Sequence, residues 1–242
     1  YTTLFRSLNG FDLLNPQIGG LPQCNEPIKE LKRLVGRPIG ANIEPVDLNA
    51  DMLESRLEIP EGRQCSEKTL QAAQELGLDF ICLTGNPGTG VTNNDIVKAI
   101  ELAKKHFSGL IIAGKMHGAG VNEPICDLKT IEEFIDAGAD IILVPAVGTV
   151  PAFTEEQLIS IVNCAHEKGA LVLTAIGTSQ EGSSSAVIEQ FGLKNKVCGV
   201  DIQHIGDAGY SGLAPVENIF ALSSSIRGIR HTLTMISRSI NR

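Results

Sequence analysis

Two apolar runs in this chain end in ionisable side chains, and those ends are where its chemistry should lie. Ile112-Ala113-Gly114-Lys115-Met116-His117 finishes in an amine and an imidazole, and Ala41-Asn42-Ile43-Glu44-Pro45-Val46-Asp47 in two carboxylates. A charge inside an apolar run is costly to bury unless it is paired or functional. A desolvated Lys115 has the chemistry of a Schiff-base nucleophile or a base. Kept charged beside Glu44, it would instead stabilise an enolate or carboxylate oxygen. His117 can carry protons near neutral pH, with Glu44 or Asp201 orienting the pair. The competing structural roles are an ion pair of Lys115 with Glu44 or Asp201, and a hydrogen-bonded loop histidine at 117. Glu44, Asp47 and Asp201, with Asp207 further on, are oxygen donors of the kind that hold Mg²⁺, which makes Mg²⁺ the candidate cofactor.

Alternation along each run extends the set. In Ile81-Cys82-Leu83-Thr84-Gly85-Asn86, outward Ile81 and Leu83 leave Thr84 and Asn86 pointing in, and the same reading turns Lys115 and His117 inward. Asn42 and Glu44 share a face, as do Asp201 and Gln203, with His204 opposite. Two Gly- and Ser-rich loops, Ile176-Gly177-Thr178-Ser179-Gln180-Glu181-Gly182 and Ile205-Gly206-Asp207-Ala208-Gly209, suit a phosphate through backbone N–H groups and a helix N-terminus. Gly177, Thr178, Ser179 and Gly206 are the donors expected there, with Asn86, Gln203 and His204 as further substrate contacts. Glu181 and Asp207 would repel an anion unless turned away or bound to a metal. Gly85-Asn86-Pro87-Gly88-Thr89-Gly90-Val91-Thr92 has the frame of a nucleotide-binding P-loop. Val91 stands where that motif needs lysine, so the segment reads as an ordinary strand-to-helix loop.

The elements that must position these groups follow one cadence. Apolar strand-like runs at Ile39–Glu44, Phe80–Thr84, Leu110–Lys115, Ile141–Val144, Leu171–Ile176 and Val200–His204, with a stub around Phe11, alternate with amphipathic stretches. Those stretches are Glu26–Val35, Ser66–Leu76, Asn94–Phe107, Asp127–Ala137, Thr154–Lys168, Ser183–Phe191 and Pro215–Ile240, with Ser66, Asn94, Asp127 and Thr154 as caps. Parallel strands joined by crossover helices are the solution. Seven units are one short of a (β/α)8 TIM barrel, so the predicted fold is an α/β barrel that is N-terminally truncated, its first strand–helix unit missing; the alternative is an α/β sheet of seven units. Residues 1–7, Tyr1-Thr2-Thr3-Leu4-Phe5-Arg6-Ser7, resemble a translated sequencing adapter and are set aside, which leaves one barrel domain over 8–242. In such a barrel the longer loops share the rim at the strands' C-terminal ends, where active sites lie.

A net charge of −8 argues against a nucleic-acid partner, which would need a basic face. No apolar run reaches the roughly 18 residues that span a membrane. Six cysteines without a CxxC pair read as reduced and structural, in keeping with a cytoplasmic protein. Arg227, Arg230, His231 and Arg238 crowd the last helix, either as a cationic C-terminal half or as a clamp on an anion or a subunit contact.

The stretches His204-Ile205-Gly206-Asp207-Ala208-Gly209-Tyr210-Ser211-Gly212, Ser225-Ile226-Arg227-Gly228-Ile229-Arg230-His231-Thr232 and Asn86-Pro87-Gly88-Thr89-Gly90-Val91-Thr92 resemble a bacterial TIM-barrel family of uncharacterised chemistry. Its members carry the labels PEP phosphonomutase-like or haloacid dehalogenase-like. Asp207-Ala208-Gly209-Tyr210 resembles the Asp-Thr-Gly-Tyr signature of PEP mutases but follows the last strand, and no Asp-x-Asp motif ends a strand, so no catalytic residue carries over from either label. The reading is a lyase or isomerase acting on a small anionic metabolite, phosphorylated or a 2-oxo acid, with Lys115 and His117 as electrophile and acid/base. The alternatives are a Schiff-base aldolase through Lys115 and a non-catalytic, metabolite-binding regulatory barrel. A homo-oligomer is the expected assembly.

Overall fold

The computed structural model describes residues 5–21, 24–206 and 214–238. Strands β1 (Arg6–Leu8), β2 (Ile39–Ile43), β3 (Phe80–Leu83), β4 (Leu110–Gly114), β5 (Ile141–Pro145), β6 (Leu171–Ile176) and β7 (Ile202–Ile205) form one parallel sheet in chain order. Helices α1 (Pro27–Val35), α2 (Glu67–Glu75), α3 (Asn93–His106), α4 (Leu128–Ala137), α5 (Glu155–Glu167) and α6 (Ser185–Val197) make the crossovers, and α7 (Val216–Arg227) and α8 (Ile229–Ser237) follow β7. Among the described residues β7 and β1 do not pair, so the sheet has seven strands and the closed eight-stranded ring is not formed. The first strand lies at Arg6–Leu8, earlier than the stub expected around Phe11, and includes Arg6 and Ser7 from the segment set aside. Phe11 is instead a buried residue of the outer core.

The curl of the sheet follows from which side chains meet. Phe80, Cys82, Ile112, Ile141, Leu143, Leu173 and Ala175 form a single inner cluster, with Phe5, Met116 and Ile202 against it. Residues from β3 to β7 can touch on one face only if the sheet wraps around them. The alternate set, Ile81, Leu83, Ile111, Ala113, Ile142, Val144 and Val172, packs outward against the helices. Strands covered on both faces are apolar throughout, as these are. Gly40 provides the inner position of β2: a Cβ there would lie 2.3 Å from the Phe80 ring. That gap admits the edge-to-face contact of Phe5 with Phe80, 5.2 Å between centroids.

Helix starts follow local chemistry. Ser66 and Thr154 close capping boxes with Thr69 and Gln157, and Asp127 caps α4 through the Thr130 N–H. Thr92, two residues before the expected Asn94, caps α3 by accepting from the Asp95 N–H. The single terminal helix expected over Pro215–Ile240 is two, because Gly228 turns the chain at φ 81°.

At the opposite end from the rim, one device recurs. Asp79, Asp140 and Asp201 stand immediately before β3, β5 and β7, at equal 61-residue intervals. Each donates its backbone N–H to a carbonyl of the preceding strand and accepts that residue's N–H on its carboxylate. The partners are Ile39 (2.8 and 2.7 Å), Ile111 (2.9 and 2.8 Å) and Val172 (3.2 and 2.9 Å). Lys32 pairs with Asp79 and His166 with Asp201, both at 2.8 Å. Asp201 is therefore a clasp at the N-terminal end of the strands. It does not belong to the rim site expected of it.

Candidate active site on the strand rim

A cavity of about 1440 Å³ occupies the concave side of the sheet. It runs from Leu110 and Leu171 at the strand beginnings to Asn86, His117 and Ser179 at the rim, and β1, β7 and α7 contribute to its wall. Met116 forms part of its floor, reaching across to Gly177, where a Cβ would lie 2.5 Å from the Met116 Sδ. Above that floor the lining turns polar.

One side of the rim is a chain of amides. Asn86 donates from Nδ2 to Glu44 Oε1 (2.9 Å), and its backbone N–H donates to Glu44 Oε2 (2.9 Å). Asn86 and Asn9 exchange amide hydrogen bonds at 3.0 and 3.1 Å, and Asn42 donates to Asn9 Oδ1 at 3.2 Å. Glu44 is 1% exposed and takes the Arg63 Nη2 at 2.6 Å. Every carboxylate oxygen of Glu44 is thus engaged, and its part is to aim Asn86. Asn9 and Asn42, which sequence reasoning passed over as substrate contacts, both line the cavity. The signal for them was position alone, since each sits at or just beyond the end of a strand.

His117 lies next to this chain and lines the cavity. Its Nδ1 accepts the Ala119 N–H at 3.1 Å, which puts the proton of the neutral ring on Nε2. Nε2 has no hydrogen-bond partner among the described residues. Burial pushes the His117 pKa down, the Lys115 ammonium adds to this, and Glu44 opposes it. Neutral His117 is a donor held ready for an oxygen, chemistry that polarises a carbonyl.

Lys115 does not join it. Ile112 belongs to the inner cluster and Ala113 to the outer core, so alternation sends Lys115 outward. Its Nζ is buried between the Glu123 carboxylate and the Val91 carbonyl, 2.9 Å away. Burial lowers the lysine's pKa, while Glu123 pulls the other way. The ion pair anticipated for Lys115 exists, but its partner is Glu123, not Glu44 or Asp201. The inward placement expected of Lys115 is thereby corrected.

The β6 end presents Gly177, Thr178 and Ser179 to the cavity. Thr178 and Ser179 are both left-handed, at φ 58° and 70°, and across the rim Ala119 is at φ 54°. Non-glycine residues in that region carry about 1–3 kcal/mol of strain each and gather at functional sites. The Thr178 hydroxyl is directed at Gly177 O of its own loop (2.6 Å) and at Thr149 O of the loop after β5 (3.2 Å). His204 and Gly206 also line the cavity, and His204 pairs in register with inward Ala175. Gln203 also lines the cavity, and its amide donates to Gly192 O of α6 at 2.9 Å. Asp47 caps its own loop through the Asn49 N–H at 2.8 Å. Asp207 and the Asp207–Tyr210 signature lie outside the described residues. Among the described residues no group of three or more His, Cys, Asp or Glu side chains could hold a metal ion. None is joined in a disulfide among the six cysteines, and no described helix is long and apolar enough to cross a membrane.

Among the described residues, Thr84 and Glu181 at the rim carry unmet hydrogen-bonding capacity. Thr84 Oγ1 and Glu181 Oε2 are buried without a hydrogen-bond partner, and both residues line the cavity. Glu181 packs against the close of β7, where a Cβ on Gly206 would lie 3.6 Å from its Cδ. Asn218 of α7 holds the loop in place by donating to Glu181 O (2.9 Å) and Ser183 O (2.7 Å).

A curled parallel α/β sheet with its polar groups gathered at the strands' C-terminal ends defines a protein similar to the TIM barrels. The chain belongs to the family described as Domain of unknown function (DUF7916), whose model matches residues 6–242. No curated protein matches it. Among solved structures it is similar in fold to a proposed lyase/mutase from Burkholderia cenocepacia J2315. The TM-score is 0.50 at 15% identity, over 87% of this chain and 74% of that one. Inosine 5′-monophosphate dehydrogenase from Legionella pneumophila aligns at TM-score 0.43 and 18% identity, over 74% of this chain and 46% of that one. GMP reductase from Trypanosoma brucei aligns at 0.45 and 17%, over 70% and 32%.

Proposed function

We propose that the protein is a rim-site enzyme of lyase or isomerase type that acts on a small carbonyl compound, a 2-oxo acid in the first instance. The observation that carries this is the fixed tautomer of His117: the Ala119 N–H on Nδ1 leaves Nε2–H as the donor at the cavity. A neutral imidazole hydrogen-bonded to a carbonyl oxygen stabilises the enolate that forms when a proton or carbon leaves the neighbouring atom. Asn9 and Asn42, which line the cavity and each spend one amide N–H within the amide chain, would hold the substrate's second oxygen with the other, on a framework that Glu44 fixes through Asn86. The left-handed Ala119, Thr178 and Ser179 support this reading, since strain of that kind persists where a site needs a set geometry. The Schiff-base alternative loses support, because Lys115 is enclosed by Glu123 and Val91. The fold is proposed to close into an eight-stranded barrel by a strand seated between β7 and β1, both of which have a free edge among the described residues.

The test is ligand binding followed by thermal shift and NMR titration, using pyruvate, phosphoenolpyruvate and inorganic phosphate with and without Mg²⁺. A carbonyl ligand that binds the parent protein and is weakened about tenfold or more by His117→Ala supports the reading, a loss appropriate to one hydrogen bond in a dry site. Carbonyl binding indifferent to His117 would overturn it.

A further inference from the structure

Most buried polar side chains in a folded protein find a partner. Glu181 does not fully do so: the residue is 5% exposed, lines the cavity, and its Oε2 has no hydrogen bond. Thr84, at the end of β3, is 3% exposed with the same deficit at Oγ1. The two come from well-separated strands and line one cavity with His117. A carboxylate can only accept hydrogen bonds, so whatever completes Glu181 is a donor. The position is also held deliberately. Buried Asn218 fixes the backbone of Glu181 and its neighbour Ser183, Ser185 Oγ bonds Asn218 Oδ1 at 3.1 Å, and the loop enters through two left-handed residues.

We infer that the cavity recognises a ligand carrying a hydrogen-bond donor, a hydroxyl or an ammonium, which Glu181 accepts with Thr84 as a further polar contact. This rests on the rim reading above and narrows it: the substrate would be a hydroxy- or amino-substituted carbonyl compound. It also reassigns the β6 loop, which was expected to cradle a phosphate. A bare anion placed there would meet the carboxylate of Glu181, and like charges at close range repel.

Matched probes test this without any turnover. Acetone, hydroxyacetone and aminoacetone share a carbonyl and differ only in the donor, and ethylene glycol and ethanolamine carry donors with no carbonyl. Binding is read by NMR titration on the parent protein, Glu181→Gln, Glu181→Leu and His117→Ala. The expected result is that hydroxyacetone or aminoacetone binds about tenfold or more tighter than acetone, the range for a hydrogen bond to a charged group, and that Glu181→Leu abolishes the difference. Glu181→Gln then separates the donors: the amide still accepts from a hydroxyl but loses the attraction for an ammonium. Inorganic phosphate should bind Glu181→Gln more tightly than the parent. If acetone and its substituted forms bind alike, or the preference survives in both Glu181 variants, the inference is overturned. Binding of ethanolamine or ethylene glycol that depends on Glu181, with no carbonyl binding at all, would uphold it while sinking the role given to His117. Should Glu181→Leu fail to fold, Glu181→Ala, which likewise accepts nothing, takes its place in the comparison.

Discussion

Lys115 and Glu123 form an ion pair beneath the rim, closed on the lysine side by the Val91 carbonyl and on the glutamate side by the Asn93 N–H at the start of α3. The lysine is 1% exposed and the glutamate 24%. A charge so enclosed is a joint between the β4 loop and α3, and it costs more when broken than when replaced whole. Removing one partner of a buried pair typically costs about 3–5 kcal/mol, and the partial exposure of Glu123 moves this to about 2–3. Chemical denaturation should show Glu123→Ala destabilised by that amount, with Lys115→Met/Glu123→Leu closer to the parent. Borohydride reduction with a carbonyl compound should leave Lys115 unmodified, and mass spectrometry would detect an adduct.

His117 sets a pH dependence of definite sign. Its folded pKa lies below the ordinary 6.5 because burial and Lys115 disfavour the imidazolium. As pH falls through 6.5 the unfolded chain takes up a proton that the folded chain resists, so stability declines from there and stops declining below the folded pKa. Protonation also converts Nδ1 into a donor and ends its acceptance of the Ala119 N–H. Carbonyl-ligand affinity should therefore hold through neutral pH and weaken only below 6.5. Titration of the His117 ring protons by NMR gives the midpoint directly, and a midpoint above 6.5 would contradict the site's electrostatics.

Asp201 should matter to stability and not to binding. Asp79→Ala, Asp140→Ala and Asp201→Ala each strand a strand-initiating N–H, a loss of about 1–3 kcal/mol. Urea titration of the three should give similar destabilisation, with ligand affinity at 25 °C unchanged for Asp201→Ala.

Gly177→Ala tests the floor of the cavity. The new Cβ meets the Met116 Sδ at 2.5 Å, the far end of a flexible side chain. Stability should fall by about 1 kcal/mol or less, ligand affinity by more, and Met116→Ala in the same chain should restore the melting temperature. A collapse of the fold would mean that Met116 cannot yield.

Much of this was legible before any coordinates. Capping residues Ser66, Asp127 and Thr154, and the alternation of β3 with Ile81 and Leu83 outward, follow from local rules. The phase of β4 was not legible, because Ile111, Ile112 and Ala113 are apolar on both faces and alternation then cannot say which side is which. That ambiguity misplaced Lys115, whose partner Glu123 lies in a loop without a recognisable pattern. Asp201 misled for a different reason. An acid beside an apolar strand suggests chemistry when viewed singly, yet Gly77-Leu78-Asp79, Gly138-Ala139-Asp140 and Gly199-Val200-Asp201 are three copies of one signal. Glu181 was seen only as an obstacle to an anion, since a sequence shows the charge of a residue but not whether its hydrogen bonds are met.

The clasps have a mechanical consequence. Asp79 ties β3 back to β2, Asp140 ties β5 to β4, and Asp201 ties β7 to β6. The same residues reach the other way, since the Asp79 and Asp140 carbonyls take the N–H groups of Leu110 and Leu171 at 3.1 and 3.0 Å and so span β3–β4 and β5–β6. The foot of the wall is laced without a break from β2 to β7, and the loops that would grasp a ligand stand on that continuous footing.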